Sequence, residues 1–314
     1  MTRRFDLCCL GEPLLEFNAR HGGEGEARTY LEAHGGDASN VAIAAARQGA
    51  EVAFLSAVGD DLGGRSFRAL WGRENVDASG VLTDAERPTG VYFVSHDANG
   101  HHFTYLRKGS AASGYRLDET ARRVLADAAT VFASGISLGI SERGADTVFE
   151  AFALARQAGA HTAFDTNYRP RLWPARRAGA VIREALSQAD IAFPGLEDAQ
   201  ALWGMHEPDA IADFCLTLGV RIVILKMGAE GALLATSEGR QRIAPFPCSP
   251  VDATGAGDTF CGAFLARLVE GASPEEAARH AACAAALATT GYGAVPPIPA
   301  RDAVEKALAG VSPA

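Results

Sequence analysis

Short apolar segments alternate with amphipathic segments along most of this chain, and this alternation limits the possible folds more than any other feature. Residues 52–59, 130–136, 161–167 and 221–228 are largely apolar without alternating polarity, and stretches between them have helical periodicity. Strands of this kind are typical of a parallel sheet that is buried on both faces. The pattern therefore predicts an α/β fold, with helices covering both sides of a mostly parallel sheet.

Two segments interrupt the alternation. Residues 12–31 contain no convincing long helix, and residues 90–108 read as two alternating strands around an Asp-Ala-Asn-Gly turn. We expect these segments to form a small β-sheet over one edge of the main sheet, inserted in a single domain of residues 1–314. A lid made of strands is suited to closing over a ligand and excluding water.

The charge and cysteine content exclude several classes of function. The 314 residues include 29 Lys and Arg against 38 Asp and Glu, so a net charge of −9 provides no general attraction for nucleic acid or an anionic membrane. No apolar stretch approaches the ~20 residues that span a bilayer, and the six cysteines lack CxxC pairs. We expect a cytoplasmic protein that binds any anionic ligand locally.

A glycine-rich turn at residues 251–258 leads directly into a helix, and this is the most informative segment for chemistry. The backbone amides of Gly255, Ala256 and Gly257 can point at one anion, and the helix dipole adds about half a positive charge there. Asp258 follows in the first helical turn, where a base could meet a substrate hydroxyl beside a bound phosphate. The simpler interpretation is a glycine turn before a helix whose first turn is stabilised by Asp258.

Two common nucleotide-binding motifs are disfavoured. The sequence has no GxxxxGK[ST], which argues against a P-loop NTPase. The best GxGxxG candidate starts at Gly255 and has Phe260 where a small third residue must allow close packing of helix and strand, which argues against a dinucleotide-binding Rossmann fold.

Two motifs together resemble the ribokinase-like carbohydrate kinases: GGDASNVA at residues 35–42 and DATGAGD at residues 252–258. The resemblance covers nearly the whole chain and implies a three-layer α/β/α core with a β-sheet lid. It also implies an ATP-dependent sugar kinase. The residues it assigns are Asp258 as catalytic base, Gly255, Ala256 and Gly257 as anion hole, and Gly36 and Asn40 as lining of the sugar pocket.

The same resemblance implies where ATP and metal ions bind. KMGAEGA at 226–232 is similar to the strand and turn that border the nucleotide, so Lys226, Gly228 and Gly231 are implied to bind ATP with residues 255–257. Asp252 resembles the position near which many members hold K⁺. The family's NxxE motif, associated with Mg²⁺, is PGLE here, with Pro194 in place of Asn and Glu197 retained.

Three segments resemble, within this family, the kinases that act on 2-keto-3-deoxygluconate. These are GEPLLEF at 11–17, YLRKGSAAS at 105–113 and DTNYRPRLWP at 165–174. The substrate of those kinases is a sugar acid, whose carboxylate requires hydrogen-bond donors.

Arg107 and Arg169 are the expected donors to such a carboxylate, because guanidinium groups form forked hydrogen bonds with carboxylates. Arg169 follows the carboxyl end of a core strand, where α/β sheets bind ligands. Tyr92 and Tyr105, on the lid strands, are expected to add hydroxyls and an apolar wall. The alternatives are that Arg107 protects an edge strand, that Arg169 pairs with Asp165, and that the tyrosines only pack the lid.

Three other functions remain open at this stage. They are a sibling kinase for a neutral sugar such as fructose or ribose, a sibling for another keto-deoxy sugar acid, and a non-catalytic nucleotide or sugar sensor. His280, on a late alanine-rich helix, either contacts the nucleotide or is a satisfied structural histidine. Exposed lid strands favour pairing between two lids, so we expect a homodimer.

Overall fold

A computed structural model describes residues 3–20, 29–97 and 100–310, which form two β-sheets and the helices around the larger one. The strands are β1 (Phe5–Leu10), β2 (Leu14–Arg20), β3 (Thr29–Gly35), β4 (Val52–Gly59), β5 (Val76–Asp77), β6 (Val81–Asp84), β7 (Gly90–Asp97), β8 (Gly100–Leu106), β9 (Ala128–Ser134), β10 (His161–Asp165), β11 (Ile191–Phe193), β12 (Ile222–Lys226), β13 (Ala232–Thr236) and β14 (Gly239–Ile243). Within these residues, no helix combines the length and apolar character needed to cross a bilayer.

The larger sheet has the order β14-β13-β12-β11-β10-β9-β1-β4-β5, and β6 also pairs with β4. Its strands are parallel except for β13 and β14, which form an antiparallel edge. From β9 to β12 successive strands add in one direction, whereas β1, β4 and β5 extend in the other. The order reverses between β1 and β9, and such a switch point is where open α/β sheets bind ligands.

Helices cover both faces of this sheet, as the apolar runs predict. They are α1 (Asp37–Arg47), α2 (Leu62–Arg73), α3 (Glu119–Ala126), α4 (Gly135–Gly139), α5 (Glu142–Gln157), α6 (Ala175–Ser187), α7 (Leu196–Trp203), α8 (Pro208–Thr217), α9 (Ala256–Val269), α10 (Pro274–Ala288) and α11 (Arg301–Ala309). In β1, Leu7 and Cys9 join the apolar cluster around α1 and α9, whereas Cys8 and Leu10 join the cluster around α5 and α6. The predicted three-layer α/β/α core is confirmed.

The smaller sheet, called the lid sheet below, has the order β3-β2-β7-β8. The hairpin expected within residues 90–108 is present as the antiparallel pair β7 and β8, although residues 98 and 99 of its turn lie outside the described residues. The other expected segment, residues 12–31, contains β2 and the first residues of β3, which continues to Gly35. Residues 21–28 of this segment lie outside the described part. The predicted small β-sheet is therefore present.

Close packing of α1 against α9 brings two distant parts of the chain together. A Cβ atom at Gly262 of α9 would collide with the Val41 carbonyl oxygen and the Ala44 side chain of α1. Only glycine permits this approach of two helix backbones. As a result, the N-terminal turns of α1 and α9 meet at the carboxyl edge of the sheet.

Candidate active site

The glycine-rich turn before α9 leaves several backbone amides unused. Gly255 is the N-cap residue with φ 76°, a left-handed conformation that favours glycine. The Ala256 amide donates to the Ala253 carbonyl at 3.2 Å. Among the described residues, no acceptor contacts the amides of Gly255, Gly257 or Asp258. These three amides, rather than that of Ala256, are available to an anion at the helix N-terminus.

Asp258 lies in the first turn of α9 and is held by a residue from α1. The Asn40 side-chain amide donates to Asp258 Oδ2 at 2.8 Å. This contact joins the two sequence motifs that resemble the carbohydrate kinases. Among the described residues, Asp258 Oδ1 has no hydrogen-bond partner, so the carboxylate retains an oxygen that can accept a proton from a hydroxyl.

The surroundings of Asp258 raise its pKa to about 7. Burial is the main cause, and the neighbouring Asp37 carboxylate adds to it, whereas the hydrogen bond from Asn40 acts in the opposite direction. The sequence argument considered only the helix dipole, which favours the ionised form. In the folded protein, burial outweighs that dipole, and the carboxyl group titrates near neutral pH.

A buried ion pair lies beside the same glycine turn. Lys226 Nζ, at the end of β12, is 2.5 Å from Asp165 Oδ2, at the end of β10. A Cβ atom at Gly257 would be 3.5 Å from Lys226 Nζ, so the ammonium group borders the free amides. Burial alone would lower the pKa of Lys226, but the Asp165 carboxylate outweighs burial and raises it. Lys226 is therefore cationic at neutral pH.

Tyr92 and Tyr105 lie next to each other on the lid sheet, with ring centroids 5.6 Å apart. Tyr92 is buried, its hydroxyl donates to Glu16, and a Cβ at Gly35 would collide with that hydroxyl. Tyr105 is exposed. The structure thus brings Tyr92 to the glycine pair that precedes α1, and it leaves Tyr105 at the surface of the lid.

Arg107 follows β8 and contacts a buried carboxylate. Its guanidinium forms an ion pair with Glu12, and Glu12 also accepts a hydrogen bond from the Ser110 hydroxyl. The alternative in which Arg107 is a solvated charge on an edge strand does not fit this placement, because its side chain is only 11% exposed. The Asp37 carboxylate contributes to the raised pKa of Glu12 as well as to that of Asp258, so both groups lie around one acidic residue.

Arg169 is exposed, and its Nη1 donates to the adjacent Tyr168 carbonyl at 3.0 Å. Asp165, the partner considered from the sequence, pairs with Lys226 instead. No ion-pair partner of Arg169 lies within residues 3–20, 29–97 and 100–310. On the same loop, Arg171 Nη1 donates to the Phe103 carbonyl of β8 at 2.6 Å, which ties this core loop to the lid sheet.

The residues assigned to metal ions are arranged in different ways. Glu197 is exposed in the first turn of α7, whereas the next residue, Asp198, accepts a hydrogen bond from Thr166 at 2.6 Å. Asp252 accepts from the Thr254 amide and hydroxyl and from the Gly293 amide. The described residues include no cluster of three or more His, Cys, Asp or Glu side chains suited to a metal ion. A Mg²⁺ ion delivered by a nucleotide needs only one or two protein carboxylates.

Gly228 and Gly231 form the tight turn between β12 and β13, and both have positive φ angles, 58° and 84°. The turn continues directly from Lys226, so the three residues assigned to nucleotide binding lie together. His280 is buried, and its Nε2 lies 2.8 Å from Gln48 Oε1. Burial lowers the pKa of His280 to about 4. It is a structural residue of the packing between α10 and α1.

Four acidic residues around the site were not among the candidates from the sequence: Glu12, Glu16, Asp37 and Asp165. Each lies within a segment that carries the resemblance, which was the available signal. Asp37 accepts hydrogen bonds from Ser134 and from Asn167, the latter at 3.0 Å. Its position in the first turn of α1, one turn before Asn40, places it at the centre of the site.

Comparison with known proteins shows close relatives along most of the chain. The model of the pfkB family carbohydrate kinases matches residues 4–301. The 2-dehydro-3-deoxygluconokinase of Thermoproteus tenax is 35% identical over 90% of this chain and 87% of that protein. The enzyme of the same name from Bacillus subtilis is 32% identical over 95% and 94%. Fructokinase-1 of Oryza sativa subsp. japonica is also 32% identical, over 95% and 96%.

Solved structures of the same fold include nucleotide complexes. A PfkB protein from Polaromonas sp. JS666 has a TM-score of 0.85 and 32% identity, covering 96% of this chain and 99% of that one. The fructokinase of Xylella fastidiosa with bound ATP has a TM-score of 0.88 and 25% identity, covering 96% and 98%. The fructokinase of Vibrio cholerae O395, with fructose, ADP and a calcium ion, has a TM-score of 0.85 and 26% identity, covering 97% and 99%.

Proposed function

This chain belongs to the pfkB family of carbohydrate kinases, and we propose that it transfers the γ-phosphoryl group of ATP to 2-keto-3-deoxygluconate, forming the 6-phosphate. The observation that carries the phosphoryl-transfer chemistry is the juxtaposition of Asp258, Lys226 and unused amides at the N-terminus of α9. A base, a fixed cation and anion-binding amides are the groups that phosphoryl transfer requires.

In the proposed mechanism, Asp258 accepts the proton of the substrate hydroxyl as the hydroxyl oxygen attacks the γ-phosphorus in line. The bond from the γ-phosphorus to the bridging oxygen breaks, ADP leaves with the bond electrons, and the proton passes from Asp258 to solvent. Asn40 orients the carboxylate through its 2.8 Å hydrogen bond. Lys226 and the amides of Gly255 and Gly257 stabilise charge on the transferring group.

The pKa of Asp258 suits this role. A carboxyl group with a pKa of about 7 is a stronger base than an ordinary aspartate with a pKa of ~3.9, and part of it is ionised at neutral pH. An alcohol is much less acidic than a carboxyl group with either of these pKa values, so the proton transfers late in the reaction. Asp258 orients the hydroxyl until then.

ATP and a metal ion are the cofactors of this fold, since related kinases were solved with ATP and with ADP and calcium. We propose Mg²⁺ as the ion in this protein. When bound, Mg²⁺ neutralises charge on the phosphates. Glu197 would approach it from α7, Lys226, Gly228 and Gly231 would border the nucleotide, and Asp252 would contribute to a K⁺ site together with backbone oxygens.

Arg169 supports a carboxylated substrate. It is an exposed guanidinium at the carboxyl edge of the sheet, and the Arg171 contact to β8 brings its loop against the lid strand that precedes Arg107. A neutral sugar offers no charge to complement it. We propose that Arg169 and Arg107 bind the carboxylate and keto oxygen, with Gly36, Tyr92 and Tyr105 around the carbon chain.

A kinase for a neutral sugar is the second candidate, because fructokinases are similar to this chain at the same identity and Glu12 already neutralises Arg107. Another keto-deoxy sugar acid is a variant of the first candidate. A non-catalytic sensor would have no need for Asp258 and Lys226 in this arrangement.

A homodimer formed through the lid is part of the proposal. Of the exposed large apolar residues in the described part of the chain, five belong to the outer strands of the lid sheet, β3 and β8: Tyr30, Leu31, Phe103, Tyr105 and Leu106. Covering such a surface with a second copy removes apolar area from water and protects both edge strands. With its reduced cysteines and ATP as co-substrate, the enzyme would act in the cytoplasm.

The test is ATP-dependent ADP release with 2-keto-3-deoxygluconate, its galactose-derived epimer, gluconate, fructose and ribose as acceptors. The proposal expects kcat/KM for 2-keto-3-deoxygluconate to exceed that for fructose by at least about 100-fold, as expected for one well-formed charged contact. A higher kcat/KM for fructose or ribose would support the second candidate. Absence of turnover with every acceptor would support a sensor.

A further inference from the structure

Glu12 lies where all four strands of the lid sheet meet the core. β2 begins at Leu14 and β7 at Gly90, whereas β3 ends at Gly35 and β8 at Leu106. A Cβ atom at Gly90 would be 2.9 Å from Glu12 Oε1, and one at Gly36 would collide with the Glu12 carbonyl oxygen. Glu12 is therefore enclosed by the junction between lid and core.

Glu12 is only 1% exposed, yet its side chain makes two contacts that cross this junction. Oε1 accepts from the Ser110 hydroxyl, and Oε2 forms the ion pair with Arg107. Burial raises the pKa of Glu12, while Arg107 and Ser110 act in the opposite direction. Because a buried unpaired charge is costly, Glu12 restrains the guanidinium of Arg107 to this place.

The hydrogen bonding of Arg107 is incomplete. Its Nη2 atom contacts Glu12 Oε2, whereas its Nε atom is buried and has no hydrogen-bond acceptor among the described residues. Leaving a buried donor without an acceptor is unfavourable, so an oxygen atom that reaches Nε is bound well. The guanidinium carbon lies 5.9 Å from the ring centroid of Tyr105, which is on the lid strand that precedes Arg107.

We propose that Glu12 is a positioning residue for recognition of the sugar acid: it does not touch the substrate, but holds Arg107 at the junction between lid and core with its Nε donor left for a substrate oxygen. This inference rests on the proposed function. It assigns different roles to the two arginines. Glu12 compensates the charge of Arg107, which then contributes an oriented hydrogen bond, whereas Arg169 contributes uncompensated charge.

A double-mutant cycle tests whether Glu12 acts through Arg107. We expect Glu12→Gln to raise KM for 2-keto-3-deoxygluconate about tenfold, and to change kcat and KM for ATP less than about twofold. In an Arg107→Met background, the same substitution should change KM for the sugar acid less than about twofold, because the group it positions is absent. Equal effects of Glu12→Gln in both backgrounds, or an unchanged or lower KM in the wild-type background, would overturn the inference.

Two further variants separate positioning from general stability. Glu74→Gln removes a matched Glu–Arg ion pair, formed with Arg47 at 2.8 Å on the opposite end of α1, and it should lower Tm without changing KM. Ser110→Ala keeps the charge of Glu12 and removes only its second anchor, so it remains informative if Glu12→Gln does not fold. It should raise KM for the sugar acid about threefold, and an unchanged KM would count against the inference.

The acceptor panel keeps the two proposals apart. If wild-type protein prefers a neutral sugar, the proposed substrate is wrong. If it prefers the sugar acid while the cycle shows no coupling between Glu12 and Arg107, only the inference about Glu12 is wrong.

Discussion

The site has two sides that differ in how their charged groups are supported. The α9 side comprises Asp258, Asn40, Lys226 and Asp165, and the lid side comprises Tyr92, Tyr105, Arg107 and the loop of Arg169 and Arg171. On the α9 side, the Lys226–Asp165 pair and the Asn40–Asp258 hydrogen bond connect β12, β10, α1 and α9, so core elements fix every group. On the lid side, Arg169 and Tyr105 are exposed, and Arg171 joins the lid through one hydrogen bond to a backbone carbonyl.

This difference suggests a division of labour. Groups that stabilise a transition state must be preorganised, and burial within the core provides that. Of the groups that we propose select the substrate, Arg169 and Tyr105 are exposed, so substitutions there disturb few other contacts, whereas Arg107 is tied to the buried Glu12. Relatives with different sugar substrates can therefore share one chemical apparatus, in agreement with the similar identities of the 2-dehydro-3-deoxygluconokinases and the fructokinase.

The largest effect is expected from Asp258→Asn on the α9 side. Because the amide cannot accept the hydroxyl proton, kcat should fall about 10³- to 10⁴-fold, while the Kd for ATP changes little. Asp118→Asn, at the N-cap of α3, is the matched control and should keep wild-type kcat. Steady-state ADP release and nucleotide titration measure both quantities, and a near-wild-type kcat would remove Asp258 from its proposed role.

Asp165→Asn should show that the α9 side is also a structural unit. It leaves the Lys226 cation, whose side chain is 20% exposed, without its buried partner, so the free energy of unfolding should fall by about 3 kcal/mol. Asp190→Asn is the control, because Asp190 is half-buried, accepts a hydrogen bond from the Thr162 amide at 2.9 Å and has no close Lys or Arg partner in the part of the chain that the structure describes. Urea denaturation compares the two variants, and equal losses would show that the ion pair has no special importance.

The pH profile tests the environment of Asp258. A base must be deprotonated, and the pKa of Asp258 is about 7, so kcat/KM should rise with pH up to about 7 and fall about tenfold per unit below it. Asp258→Asn should lose this acidic limb. A limb centred near pH 4 in the wild type would mean that burial and Asp37 do not control this carboxyl group.

Arg171→Ala should have the smallest effect, and only on the lid side. Removing its 2.6 Å hydrogen bond to Phe103 costs about 1 kcal/mol of lid positioning, so KM for the sugar acid should rise about fivefold at constant kcat. Arg177→Ala, which removes a surface pair with Glu142, is the control. A larger change in kcat than in KM would place Arg171 in the chemical step and weaken the division between the two sides.

The sequence allows the α9 side to be anticipated better than the lid side. Gly255, Gly257 and Asp258 lie within four consecutive residues, so local helix geometry alone places the amides beside the carboxylate. Their contact with Asn40 depends on glycine packing between α1 and α9. The raised pKa of Asp258 also depends on tertiary structure, since burial is its main cause and Asp37 approaches it from another helix.

Pairing across the sheet could not be read from the sequence. Asp165 and Arg169 are close along the chain, but parallel strand order places Lys226 beside Asp165 instead. In the same way, Glu12 and Arg107 meet only because β2, β7 and β8 share the lid sheet. The sequence also did not show that the Ala256 amide already donates to the Ala253 carbonyl, because that hydrogen bond depends on the backbone conformation of the turn before α9.

The most direct test of the division of labour is the selectivity ratio, which is kcat/KM for 2-keto-3-deoxygluconate divided by kcat/KM for fructose, measured in wild type, Asp258→Asn and Arg169→Ala. Our account predicts that Asp258→Asn lowers both values and leaves the ratio within about threefold of wild type. It predicts that Arg169→Ala lowers the ratio about 10- to 100-fold, because it removes a charged hydrogen bond that only the sugar acid makes. An unchanged ratio in Arg169→Ala, or a ratio that collapses in Asp258→Asn, would contradict the account.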